Sequence, residues 1–261
     1  MIAPLARLGY ASKAVVYAIV GILAMLAVFS RGGTITDTRG ALRAVVTQPF
    51  GHALLVVLAI GLCSYGAWRL LDALFDPDRD GTSTGGLITR FANAIRGVIY
   101  GTLGFEAIRL LRGLGTSSGD EAELFASRMF DWPFGTVLVG LTGVVVALYG
   151  FLELVRGARG TDDHKVNWGC IASNLQAGAR RISRFGVAVR GGLIATLGIF
   201  LLRAALTHDP NQAAGTRESF LRLGGLIEGR WFLALIACGV MAYAVDQAIH
   251  ACCRRIRPVL P

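Results

Sequence analysis

Arg7-Leu8-Gly9-Tyr10-Ala11-Ser12-Lys13-Ala14-Val15-Val16-Tyr17-Ala18-Ile19-Val20-Gly21 has two echoes further along the chain, from Arg90 to Gly104 and from Arg184 to Gly198. Each copy opens on a basic residue, carries a second one six positions later and a glycine eight beyond that: Arg7/Lys13/Gly21, Arg90/Arg96/Gly104 and Arg184/Arg190/Gly198. A fixed internal period means that one supersecondary unit has been copied.

The 261 residues are 54% hydrophobic and 16% charged, with a mean hydropathy of +0.56. Soluble domains are nearer a quarter charged. Apolar runs of roughly 20 residues with few charges read as membrane-crossing helices. Six are expected, at about 8–30, 50–74, 92–112, 133–155, 186–206 and 231–251. The seven prolines fall at or outside the ends of these runs. Pro49 and Pro133 mark helix starts, where a missing N–H is harmless. The first run has basic residues before it, as a signal peptide does. Its recurrence inside the chain argues that it is a retained span.

The formal charge of +9 points to the positive-inside rule rather than to nucleic acid. The most basic loop holds Arg156, Arg159, Lys165, Arg180, Arg181 and Arg184, whereas the loop with Asp120, Glu121 and Glu123 is acidic. This places both termini in the cytoplasm. Residues 1–78 form the first repeat, 84–160 the second, 161–183 a basic cytoplasmic linker, 184–253 the third repeat and 254–261 a basic tail. Within the linker, 164–183 reads as an amphipathic helix along the inner surface, with anionic lipid as its partner, or as a solvated charge face. Each unit crosses twice and returns to the same side, so the three repeats are parallel. A pseudo-threefold bundle and a row of hairpins both satisfy the pattern.

Pro133-Phe134-Gly135 repeats Pro49-Phe50-Gly51, and Tyr149-Gly150 repeats Tyr65-Gly66 at the same offset of 84. In the third copy these motifs become Ile227-Glu228-Gly229 and Tyr243-Ala244. Thr36 to Val46 reads as a short interfacial helix. Arg7-Leu8-Gly9-Tyr10-Ala11 with Val16-Tyr17, Gly40-Ala41-Leu42 leading into Gln48-Pro49-Phe50-Gly51, and Gly66 to Arg69 resemble a bacterial membrane-protein family catalogued as domain of unknown function 1206. That resemblance implies tandem two-helix modules, six membrane helices and an inner-membrane address. It implies no activity.

Ionisable groups inside a bilayer are costly and are candidates for function. Glu106 follows nine uncharged residues, and Arg109 lies at i+3 on the same helix face. Arg203 holds the position of Arg109 in the third repeat. A local ion pair and a proton or cation site are the two readings of this group. A second set lies at the inner ends of the even spans, where polar residues follow a shared tyrosine at i+4 and i+7: Tyr65/Arg69/Asp72, Tyr149/Glu153/Arg156 and Tyr243/Gln247/His250. That spacing keeps each trio on one face. Lys13, Arg96 and Arg190 sit at the same depth on the odd spans, and Asp246 adds an acid. Arg96–Glu153 and Arg190–Asp246 pairs would pin the hairpins together; a cytoplasmic-side ligand site is the other reading.

Five cysteines show no metal or redox spacing, and Cys252-Cys253 reads as a pair of reduced thiols at the membrane boundary. The four histidines give no matched pair for haem, and no Walker loop, Gly-x-Ser-x-Gly or His-Glu-x-x-His is present. The sequence thus supports an all-α polytopic membrane protein that is not an enzyme and carries no cofactor or metal. A structural, accessory or interaction role comes first, with a membrane-protein partner open to it. A channel or transporter comes second.

Overall fold

A computed structural model describes residues 2–29, 38–75, 84–114, 121–160, 166–209, 212–213 and 230–254. They form eight α-helices: α1 Ile2–Val28, α2 Thr38–Val46, α3 Gly51–Phe75, α4 Thr84–Leu111, α5 Glu121–Phe130, α6 Gly135–Arg159, α7 Ser173–Thr207 and α8 Arg230–Cys253. Five stretches are long and apolar enough to cross a membrane: Ala6–Val28, Gly51–Phe75, Gly135–Arg159, Ser173–Thr207 and Leu233–Cys253. They mark a multi-pass membrane protein. The sixth expected span, 92–112, is helical within α4 but falls outside that apolar class. Arg90, Arg96, Glu106 and Arg109 make it more polar than its neighbours.

The lipid-facing character is plain in the side chains. Ile22, Val57, Val98, Phe105, Leu141 and Leu148 are among the large apolar residues left exposed on the long helices. A solvated monomer rarely exposes so extensive an apolar surface. The main buried cluster includes Val16, Val20, Leu55, Leu58, Leu62, Leu103, Leu193 and Val240, and a separate one gathers Ala126, Val139, Leu201 and Ala204.

The packing order follows the chain and returns to its start. α1 packs on α3, α3 on α4, α6 on α7, α7 on α8, and α8 on α1. The most extensive of these contacts join the even span of one repeat to the odd span of the next: α3 to α4, α6 to α7 and α8 to α1. Small residues explain the closeness. A Cβ on Gly66 would press on the backbones of Gly97 and Gly101, and one on its repeat partner Gly150 would press on Ala195. This is the small-residue approach by which helices pack in lipid. Between α4 and α6 the backbones stay apart, and long side chains bridge the gap.

The recurring Pro-Phe-Gly has a structural cause. Gly51 N–H donates to Gln48 O at 2.8 Å, and Gly135 N–H donates to Trp132 O at 2.9 Å. The short helix before each turn folds back so that any Cβ at Gly51 or Gly135 would collide with the Val45 or Met129 carbonyl. The segment expected at 36–46 is thus α2. The third repeat's counterpart lies outside the described residues.

The linker departs from expectation. Residues 173–183 form no separate surface helix; they prolong the fifth span into the 35-residue α7. No proline interrupts the chain between Ala172 and His208, and 35 residues rise about 52 Å, well beyond a hydrocarbon core of about 30 Å. Ahead of it, Val166 forms a β-bridge with Arg254, Asn167 N–H donates to Cys253 O at 2.7 Å, and Trp168 is buried. Cys170 and Cys253 are joined in a disulfide, with Cα atoms 6.1 Å apart. Cys253 is therefore not the free thiol that its vicinal pairing with Cys252 suggests. The segment 166–171 closes over one end of the bundle.

Candidate functional site

Two groups of buried charge lie at different depths. The smaller is built on α4. Glu106 Oε1 lies 3.4 Å from an Arg39 nitrogen on α2 and 3.8 Å from Arg109 on α4. The i+3 pair is as the spacing suggests. Arg39 is the partner that spacing alone does not reveal, because α2 reaches α4 only through the fold. Glu106 Oε2 is buried without a hydrogen-bond partner among the described residues. Arg203 is exposed on α7, and no ion pair joins it to Glu106.

The larger group surrounds Lys13, which is only 3% exposed on α1. Its Nζ donates to the Tyr65 hydroxyl of α3 at 3.2 Å and to the Tyr243 hydroxyl of α8 at 3.3 Å. The same nitrogen sits 4.4 Å from the Tyr65 ring centroid and 4.5 Å from that of Tyr100 on α4. Ring quadrupoles attract a cation at these distances. The repeat-equivalent cations meet the repeat-equivalent tyrosines. Arg96 Nε donates to Tyr149 OH at 2.7 Å, and the Arg190 guanidinium carbon lies 5.0 Å from the Tyr243 centroid. The three copies thus build one motif, a basic odd-span residue against the even-span tyrosine of its own repeat.

Acids join these units. Glu153 takes Arg96 at 2.9 Å through one oxygen and Arg190 at 2.8 Å through the other. The expected Arg190–Asp246 pair is replaced by this bridge. Asp246 instead accepts from Ser183 Oγ and from Gln247 Nε2 at 2.7 Å, and His250 Nδ1 lies 3.4 Å away. Arg69 spreads its fork over Tyr65 OH at 3.0 Å, Asp72 at 2.8 Å, Asn93 at 3.2 Å and Tyr10 OH at 2.8 Å. The i+4 and i+7 residues after each tyrosine therefore do converge. Arg156, half-buried, lines the same space.

These groups enclose a cavity of about 80 Å³. One ordered water needs roughly 10–15 Å³ on this measure, so several fit. Tyr10, Trp168 and Arg254 complete the lining. Arg254 donates to Tyr10 OH, lies 5.0 Å from the Trp68 ring and comes from beyond the last helix. Sequence reasoning passes over these three, and Tyr17 and Tyr100 as well. Tyr17 and Tyr100 share a hydrogen bond of 3.0 Å beneath Lys13. Their equal positions in two repeats are the available signal, but alone that reads as packing. Among the described residues no group of three His, Cys, Asp or Glu side chains could hold a metal ion.

No solved structure matches the chain. It is similar to the uncharacterized protein YxxB of Bacillus subtilis (strain 168), with 28% identity over 244 residues, covering 92% of this chain and 86% of that protein. The family model described as Domain of Unknown Function (DUF1206) matches residues 8–76, 91–160 and 185–254, once for each helical pair α1/α3, α4/α6 and α7/α8. The chain therefore belongs to this family, as three tandem copies of its domain.

Proposed function

We propose that this protein is a non-enzymatic structural or interaction component of a bacterial inner membrane. In this reading it crosses six times, as three parallel two-helix repeats about a pseudo-threefold axis, with both termini cytoplasmic. The packing of α8 back on α1 supports a closed ring over a row of hairpins. α4 serves as the sixth span because its charges face partners rather than lipid. The positive-inside bias supports the orientation. The Cys170–Cys253 disulfide sits at the end taken as cytoplasmic, where such bonds are rare, so orientation needs its own test by reporter fusions at each loop. Anionic lipid at the basic face and a membrane-protein partner are the expected associates.

One observation carries the reading. Between the two charge clusters lies a continuous apolar and aromatic layer, including Val16, Val20, Leu62 and Leu103 and the packed rings of Tyr17, Tyr65, Tyr100 and Tyr243. A bundle filled in this way among the described residues suits a scaffold. The unpartnered Glu106 Oε2 favours a second reading, a channel or transporter for an ion or small solute. Reconstitution of the full chain into vesicles separates the two. Proton and potassium flux should match that of empty vesicles. A leak that Glu106→Gln abolishes would overturn the scaffold reading.

A further inference from the structure

We infer that the cavity beside Lys13 is a binding site for a phosphate group, free or at the head of a lipid. The inference stands whichever side of the membrane that end faces, and whether or not the bundle conducts.

Charge is the first argument. Lys13, Arg69, Arg96 and Arg190 share two carboxylates, Asp72 and Glu153. No carboxylate lies within ion-pair distance of Lys13 among the described residues, and Asp246 is already engaged by Ser183, Gln247 and His250. Buried cations in excess of their acids are costly unless an anion joins them.

Hydrogen-bond accounting is the second and more specific argument. A phenol oxygen has one hydrogen to give and accepts at its lone pairs. Tyr10 OH accepts from both Arg69 and Arg254, and Tyr65 OH accepts from both Lys13 and Arg69. The hydroxyl hydrogens of Tyr10 and Tyr65 have no acceptor among the described residues. The third N–H of Lys13 has none, and Nε of the cavity-lining Arg190 has no partner. Among the fully buried, unpartnered side-chain atoms of the described cavity-lining residues, the acceptor set against these donors is Oε1 of Gln247. Water would bring two further hydrogens with each oxygen it supplied. An oxyanion brings acceptors alone. The donors come from α1, α3 and α7, so they approach from several directions, which suits a tetrahedral group better than a planar carboxylate. Arginine forks match phosphate oxygens well.

Size fits as well. About 80 Å³, room for several waters on the same measure, accommodates a phosphoryl group.

The test uses the full chain, delipidated in detergent. Inorganic phosphate and dioctanoyl phosphatidylglycerol are titrated separately, with acetate as the carboxylate comparison. Tryptophan fluorescence reports binding, since Trp168 lines the cavity, and the unfolding midpoint reports stabilisation. Saturable phosphate binding identifies a free ligand; binding of the lipid alone identifies a headgroup. Either supports the site if Lys13→Met weakens it about tenfold or more while Arg128→Gln, at an exposed position on α5, leaves it unchanged. Should Lys13→Met not fold, Arg190→Lys keeps the charge, removes Nε and should weaken binding in the same direction. The inference is overturned if neither probe binds, if acetate binds as well as phosphate, or if Arg128→Gln weakens binding as much as the cavity variants do.

Discussion

Glu106 and Lys13 are both ionisable, both inside a helical bundle, and solved in opposite ways. Glu106 is a single acid with two cations close by, Arg39 and Arg109, whose side chains remain 27% and 41% exposed. Lys13 is nearly sealed and meets no acid among the described residues; four tyrosine rings and two tyrosine hydroxyls hold it. The charge of Glu106 is matched by nearby cations, although its Oε2 has no hydrogen-bond partner among the described residues. A cation held only by dipoles and rings, among other cations, is a place that still wants an anion. The contrast separates charge that eases insertion from charge that waits for a ligand.

Removing an acid from the Lys13 cluster should do the most damage. Glu153→Gln leaves Arg96 and Arg190 buried without their shared carboxylate, at a cost of roughly 3–5 kcal/mol. The expected readout is a large fall in the thermal unfolding midpoint in detergent. A midpoint close to that of the parent would mean that the bridge is incidental. Arg190→Gln is milder, because Arg96 still holds Glu153; about 1–3 kcal/mol is expected in the same assay. A larger loss than for Glu153→Gln would reverse the order of importance.

At the other cluster the effect shrinks. Glu106→Gln should cost less than about 1 kcal/mol, since its partners are part-exposed and the distances are long. Chemical denaturation is the suitable measurement, and a loss as large as that of Glu153→Gln would erase the contrast. Smallest of all should be Lys13→Met in ligand-free protein. Exchanging a buried, acid-free ammonium for an apolar chain of similar length is neutral or stabilising. A strong destabilisation would show that the tyrosine cage depends on the ammonium for its own integrity.

Much of this was legible before folding. The three copies, the hairpins and the Tyr/i+4/i+7 trios follow from spacing because helices place such residues on one face. Glu106–Arg109 was legible for the same reason. Between distant elements, spacing carried the Arg96–Glu153 pair and missed the other contacts. Arg39 reaches Glu106 only because α2 folds against α4. Glu153 rather than Asp246 takes Arg190 because α6 packs along α7 more extensively than α7 packs on its own hairpin partner α8. Arg254 and Trp168 enter the cavity through a two-residue bridge and a buried loop, neither of which has a periodic signature. The linker was read as a separate surface segment, but the absence of a proline lets residues 173–183 continue into a span.

The most direct test is a map of solvent access along the odd helices. Single cysteines would be placed through α1, α4 and α7 in a background lacking the native five, and labelled from each side with a membrane-impermeant thiol reagent. Labelling should reach the cavity-lining positions Thr89, Asn93 and Val187 from one side only and stop at the depth of Tyr17 and Tyr100. A labelled stripe running on through that layer to Glu106 would contradict the sealed bundle and make the two charge clusters ends of one path.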